Sequence, residues 1–239
     1  MTVETWSKEE LEEFRIAVTR FGMSYKFALE EISTKVNILK EEFHLIHDYN
    51  PIEHVSTRVK SAESIIRKAR RKNLPLSLEA IRENIKDIAG IRIICSFVSD
   101  IYRISEMIRS QSDIEVIEVK DYIKNPKPNG YRSLHIVMTI PVFMSDRVEH
   151  VHVEMQIRTI AMDFWASLEH KIYYKYDKNI PEHLSSQLKE AADTVSELDC
   201  KMEHINKEIN ILKENDITES EDTIFNPRIL MLEMINNKK

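Results

Sequence analysis

Glycine is nearly missing from this chain: three residues in 239, at positions 22, 90 and 130. A chain so poor in glycine keeps one where a side chain is not tolerated, through a positive φ or a close backbone approach. Cysteine is scarcer still, with only Cys95 and Cys200. Two thiols exclude a disulfide framework and a zinc site built from cysteines alone, and Cys95, inside an apolar run, reads as a buried free thiol. Long hydrophobic runs are absent as well. Met1 to Glu10 lacks the apolar stretch of a signal peptide, and no segment approaches the length of a membrane span, so the expected compartment is the cytoplasm. There is no excess of positive charge either. With 34 Lys and Arg against 40 Asp and Glu, the formal charge is −6. Whole-chain electrostatics therefore give no reason to expect nucleic acid or an anionic membrane as partner, and any anion site must be a local concentration of cations. The chain carries neither an internal repeat nor a low-complexity tract.

What is present is 42% apolar residues, enough for a core, and 31% charged residues. Near the N-terminus Leu11, Phe14, Val18, Phe21, Tyr25, Ala28, Ile32, Val36 and Leu39 mark one stripe on a long helix, with Ser7 and Glu10 as its capping box. Asn50-Pro51 breaks that pattern. A second helix is expected over about 56–72 and a short one over 77–85. The period then changes. Residues 88–98 read as a buried strand opened by Asp87, 101–109 as a helix and 114–119 as a strand. Residues 133–140 and 148–158 alternate as two strands joined by a turn at Met144-Ser145-Asp146. In the last of these, Val151, Val153, Met155 and Ile157 face one way, and His150, His152, Glu154 and Gln156 the other. Helix returns over 159–174, with Phe164, Trp165 and Leu168 expected against the sheet. After Pro181, Leu188, Ala191, Val195, Leu198, Met202, Ile205, Ile209 and Leu212 form a sustained heptad stripe. The acidic stretch 214–222 reads as a linker, and 229–235 as a last short helix. The expected fold is α+β: a mixed sheet of four or five strands flanked by helices, with long helices at both ends. The striped helices must cover each other, the sheet, or a second copy of the chain.

Three constellations have chemical meaning. On the helix expected after Arg58, Lys60, Ser64, Lys68 and Arg71 recur at helical spacing. Such a face is either a solvated basic surface or a polyphosphate grip. At ~4 Å and an effective dielectric near 20, each charge pair is worth roughly 4 kcal/mol before desolvation. Asp87 and Glu154 are two carboxylates on elements that neighbouring strands could bring together, a common way to hold Mg²⁺ against phosphate oxygens. They also suit a strand-end cap and an exposed strand position. Finally, Pro126-Lys127-Pro128-Asn129-Gly130-Tyr131 makes a rigid turn into a strand, with His135 beyond it. Lys127 offers a charge and Tyr131 a π face on which a base stacks, although Tyr131 could equally fill a core.

Together these segments resemble the synthetase domain of the RelA/SpoT family of alarmone enzymes. Four motifs occur in order between about 50 and 176: Arg58-Val59-Lys60, Asp87-Ile88-Ala89-Gly90-Ile91-Arg92, Pro128-Asn129-Gly130-Tyr131-Arg132-Ser133-Leu134-His135, and Glu154-Met155-Gln156-Ile157-Arg158-Thr159. The short chain is similar to the small alarmone synthetases of that family, which are typically cytoplasmic homotetramers. The resemblance implies a nucleotidyltransferase-like sheet in a catalytic domain at 50–180, with helical extensions at 1–49 and 181–239. It also implies transfer of the β,γ-pyrophosphoryl group of ATP to the 3′-hydroxyl of GDP or GTP, giving AMP and ppGpp or pppGpp. Arg58 and Arg92 would sandwich the adenine, while Lys60, Ser64, Lys68 and Arg71 would hold the ATP phosphates. Asp87 and Glu154 would bind Mg²⁺, and Glu154 would act on the 3′-hydroxyl. Tyr131 would stack on guanine, with Lys127, His135 and Gln156 positioning the acceptor. Asp163 stands where small synthetases often carry asparagine, and a carboxylate there would repel a nucleotide anion. Other readings of the same residues are a nucleotidyltransferase that releases pyrophosphate and a non-catalytic nucleotide- or RNA-binding module.

Overall fold

A computed structural model describes residues 7–47, 49–175 and 181–219 of the chain. They comprise six helices and five strands: α1 (Lys8–Ile46), β1 (Ile52–Val59), α2 (Ala62–Arg71), α3 (Leu78–Asn84), β2 (Ala89–Cys95), α4 (Val98–Arg109), β3 (Glu115–Asp121), β4 (Leu134–Phe143), β5 (Val148–Thr159), α5 (Ile160–Lys175) and α6 (Glu182–Glu219). Two compact units divide the chain, Met1–Asp199 and Cys200–Lys239, the described part of the second being the remainder of α6.

The sheet has the order β1-β2-β5-β4-β3. Strands β2 and β5 run parallel, and the other neighbours are antiparallel. The mixed sheet expected from the alternating segments is thus present, with five strands. Its inward face carries Ile91 and Ile93 from β2, Val153, Met155 and Ile157 from β5, and Leu134, Ile136, Met138 and Ile140 from β4, all buried. Helices α1 and α4 lie against it through Tyr25, Ala28, Ile32 and Val36 and through Ile101, Ile104 and Ile108. Full burial of each large aliphatic side chain stabilises by about 1.5–3 kcal/mol, so this face holds the molecule together. Cys95 is buried here as a free thiol, its pKa pushed up by burial and by the neighbouring Asp100 and Glu53 carboxylates.

Helix α1 starts as its sequence dictates: Ser7 accepts from the Glu10 amide, and the Glu10 carboxylate accepts from the Ser7 amide. The turn between β4 and β5 closes with Met144 N–H donating to the Arg147 carbonyl at 2.9 Å. Three expectations need correction. The helix expected over 56–72 is a strand followed by a helix. Residues 52–59 pair with β2, and Ser61 caps α2 by accepting from the Ser64 amide. Edge strand β1 is exposed at most positions and shows no clean alternation, which hid it. The linker expected from 214 is helical to Glu219, since no glycine or proline interrupts α6. In α5, Trp165 is buried, but Phe164 and Leu168 are exposed. The short helix expected over 229–235 lies outside the described residues.

Candidate active site

Strand register assembles the site on the other face of the sheet. One row across it reads Arg58, Gly90, Glu154; the next reads Ser56, Arg92, Gln156, His135, Lys120. Side chains two apart on a strand share a face, so four of the residues singled out by motif become neighbours across three strands, with Arg58 on the edge strand beside them. A cavity of about 280 Å³ opens there, lined by Ser56, Thr57, Arg58, Asp87, Gly90, Ile91, Arg92, Glu154 and Gln156. Gly90 has no positive φ, and a methyl group added to it would meet only the Arg58 and Glu154 carbonyls at 3.7 and 4.0 Å. Close backbone approach is therefore not its reason, contrary to the sequence-based expectation. Gly90 forms part of the cavity floor, where a longer side chain would take up space.

Asp87 precedes β2 rather than opening it, in the turn between the buried Ile85 and Ile88. Its Oδ2 accepts from Lys60 Nζ at 2.5 Å and Lys68 Nζ at 2.6 Å. Its Oδ1 is buried with no hydrogen-bond partner. Burial alone would raise the Asp87 pKa, but the hydrogen bonds and charges of Lys60 and Lys68 outweigh it, and the net shift is downward. Glu154 follows the same logic. Burial pushes its pKa up, while His135 Nδ1 at 3.5 Å from Oε1 and Gln156 Nε2 at 2.9 Å from Oε2 bring it below the usual value, against a smaller opposing effect of Asp87. Both carboxylates are thus held ionised on one cavity. Among the described residues no group of three His, Cys, Asp or Glu side chains converges on a possible metal position. Two carboxylates and a free buried oxygen suit Mg²⁺, which takes one or two protein carboxylates and completes its shell with substrate phosphates and water.

Of the other residues expected at the donor end, the hydroxyl-bearing Ser64 and the cation Arg71 sit on α2, Ser64 half-buried with its hydroxyl paired to Ser61 and Arg71 exposed in the last turn. Neither is among the residues lining the cavity.

The other part of the site, where the acceptor is expected, is built around the glycine turn. Gly130 has φ +86°, its amide donates to the Lys127 carbonyl at 2.8 Å, and a Cβ added to it would lie 2.5 Å from the Cβ of Ala192 in α6. Both the left-handed backbone and the close approach require glycine here. Tyr131 follows, its ring packed against the cluster of Trp165, Ala166 and Ala192. Trp165 in turn donates from Nε1 to the Leu188 carbonyl at 3.0 Å, so the start of α6 buttresses this loop. The Lys127 ammonium lies 4.7 Å from the ring centres of both Tyr122 and Tyr131. The Tyr131 hydroxyl is 2.8 Å from His135 Nε2.

Sequence reasoning named no role for Arg158, which the structure places at the centre of this site. It is 4% exposed. Nη2 donates to the Tyr131 hydroxyl at 2.5 Å and to Gln156 Oε1 at 2.9 Å, and Nη1 donates to Asp163 Oδ1 at 3.1 Å. Arg92 Nη1 donates to the same Asp163 oxygen at 3.2 Å. Asp163 is therefore turned to two guanidinium groups. The available signal was alternation, because Arg158 continues the polar face of β5 that carries Glu154 and Gln156. Tyr122 was also missed and has no comparable signal.

Comparisons with known proteins show what the chain is similar to. A family profile described as a region found in RelA / SpoT proteins matches residues 57–179. GTP pyrophosphokinase YwaC of Bacillus subtilis is 54% identical over 186 residues, spanning 78% of this chain and 89% of that protein. The crystal structure of small alarmone synthetase 1 from Bacillus subtilis bound to its product pppGpp superposes with a TM-score of 0.75 at 42% identity, covering 81% of this chain and 98% of that one. A second crystal structure of that synthetase, bound to AMPCPP, gives a TM-score of 0.69 at 39% identity, with 81% and 98% covered. With a family profile matching half of its length and a relative 54% identical over 78% of it, the chain belongs to the RelA/SpoT family.

Proposed function

We propose that this chain is a GTP pyrophosphokinase of the small alarmone synthetase type. It transfers the β,γ-pyrophosphoryl group of ATP to the 3′-hydroxyl of GDP or GTP, giving AMP and ppGpp or pppGpp. The observation that carries this reading is the meeting of two ionised carboxylates, Asp87 and Glu154, on a cavity that has arginines at one end and a tyrosine-bearing glycine turn beside the other.

At the donor end, Arg58 and Arg92 project from adjacent strands on one face and hold the adenine between them. Lys60 and Lys68, already converged on Asp87, are placed to receive the phosphates, with Ser64 and Arg71 extending the grip along α2. At the acceptor end, guanine stacks on Tyr131, a contact worth about 1–3 kcal/mol. Lys127, exposed on a flexible stem beside the Tyr131 ring, joins His135 and Gln156 in positioning the acceptor. Glu154, ionised, takes the 3′-hydroxyl proton on a carboxylate oxygen as the 3′-oxygen bonds to the β-phosphorus. The bond from that phosphorus to the α,β-bridging oxygen breaks, and AMP leaves with that oxygen. Alignment and charge neutralisation supply nearly all of the catalysis such a transfer needs. Asp87 and Glu154 would hold Mg²⁺, which supplies charge neutralisation at the phosphate oxygens.

The chain also forms a homo-oligomer, with a tetramer the expected size. The support is apolar surface exposed on both long helices among the described residues: Leu11 and Val18 in α1 are 54% and 42% exposed, and Met202, Ile205, Ile209 and Leu212 line α6. It acts in the cytoplasm, where its nucleotide substrates are. No helix among the described residues is long and apolar enough to cross a membrane, and the net negative charge gives nucleic acid no reason to bind.

Incubation with ATP, GDP and Mg²⁺, followed by identification of every product, tests the reading. It predicts free AMP and a guanosine tetraphosphate in equal amounts. Pyrophosphate release would identify a nucleotidyltransferase, ADP an ordinary kinase, and absence of turnover a binding module; each overturns the proposal.

A further inference from the structure

Donor and acceptor ends of the cavity are joined by an unbroken polar chain. Arg92, at the donor end, and Arg158 share one oxygen of Asp163, at 3.2 and 3.1 Å. The other end of the Arg158 guanidinium reaches Tyr131 and Gln156, both at the acceptor end. Arg158 Nε, at 3.4 Å from the Ser133 hydroxyl, and the guanidinium carbon, 5.0 Å from the Tyr131 ring centre, complete its surroundings. Ser133 is itself fully buried and bonded to the Ile157 carbonyl. Arginine is a rigid planar fork, so a shift at one edge is transmitted to the other rather than absorbed in a flexible stem. Buried on every side, Arg158 cannot reorient alone. Arg92 and Asp163 differ: their side chains are 39% and 27% exposed, and the buried Arg92 Nε lacks a partner. Freedom to adjust therefore lies at the donor end of the chain, and constraint at the acceptor end.

Resting on the assignment of the two ends above, we propose that Asp163 and Arg158 are positioning residues that couple the two nucleotide sites. A purine stacked on Arg92 fixes that guanidinium, and with it the shared Asp163 oxygen, the Arg158 fork and the Tyr131 ring. The second nucleotide then meets an ordered platform and loses less conformational freedom on binding, which is positive cooperativity. Reciprocity requires that a guanosine nucleotide on Tyr131 tighten ATP by the same factor. This accounts for a carboxylate near a nucleotide anion: Asp163 answers two cations and is not aimed at a phosphate.

Calorimetric titration of the full chain with GDP, alone and with saturating α,β-methylene ATP, measures the coupling without turnover. The wild type should bind GDP about fivefold or more tightly when the ATP analogue is present. Asp163→Ala should bring that ratio to about one while leaving GDP binding alone within a few-fold of wild type, and Asp163→Asn, which keeps a carbonyl oxygen, should restore part of it. Tyr131→Phe removes only the hydroxyl that accepts from Arg158 and keeps the ring for stacking, so it breaks the chain at its other end and should also abolish the ratio even if the Asp163 variants do not fold. A wild type without coupling, or a Tyr131→Phe variant with the wild-type ratio, overturns the proposal. A chain that couples both nucleotides yet transfers nothing sinks the function proposed above but leaves this coupling standing; one that transfers pyrophosphate with independent sites does the reverse.

Discussion

Asp87 has one carboxylate oxygen engaged by two lysines and the other buried without a partner, while both Glu154 oxygens have partners, a histidine and a glutamine. The first arrangement suits a group that holds a cation; the second suits one that is oriented to act on a substrate atom. Glu154→Gln keeps the shape and removes the charge. It should lower turnover by about 10²–10⁴-fold, the range for loss of a positioned base, with ATP-analogue binding nearly unchanged. Near-normal activity in a steady-state assay would remove Glu154 from the chemistry. Gly130 makes a different argument, because its backbone and its neighbour Ala192 both reject a side chain. Gly130→Ala should cost about 2 kcal/mol in urea unfolding and raise the KM for the guanosine nucleotide well above any change for ATP. Equal effects on both substrates would mean that the turn does not serve the acceptor. Most of these residues were legible, since chemically distinctive side chains in ordered motifs need no coordinates to be noticed. Arg158 was overlooked because its importance comes from what surrounds it. A lone arginine at a strand end looks like a solvated charge until Tyr131, Gln156 and Asp163 are seen to enclose it.

Among the elements, those with strong periodicity were read correctly. Strand β5 alternates over most of its length because one face is buried and the other is not, β4 keeps its apolar row Leu134, Ile136, Met138 and Ile140 although Val137 and Thr139 on its other face are also buried, and α1 shows both its stripe and its capping box. Edge strand β1 was not legible: its exposed positions erase the alternation, and the spacing of Lys60, Ser64 and Lys68 extended the helix pattern backward over it. The signal that separates the two is Ser61, a cap at the start of α2, preceded by the β-branched Val55, Thr57 and Val59. In α1, Ile32 is fully buried against the sheet. Ile32→Ala should therefore destabilise by about 3 kcal/mol in chemical denaturation, from lost transfer energy and a residual cavity. A loss below about 1 kcal/mol would mean that α1 is not part of the core.

For the whole molecule, the sequence left open what the two striped helices cover, and burial divides the answer. The middle of α1 covers the sheet, whereas among the described residues Leu11 at its start and the late stripe of α6 are exposed. Apolar stripes of that length are costly to leave in water and fit a second copy of the chain. Replacing Met202 and Ile205 together with glutamate should shift the mass measured by light scattering to a smaller species. An unchanged mass would put the assembly surface elsewhere. The central claim concerns which bond of ATP is broken, and an isotope reads that directly. With ATP labelled at the β-phosphorus, the account predicts that the label moves to the guanosine product while AMP is released unlabelled; label left in ADP, or released as pyrophosphate, would contradict it.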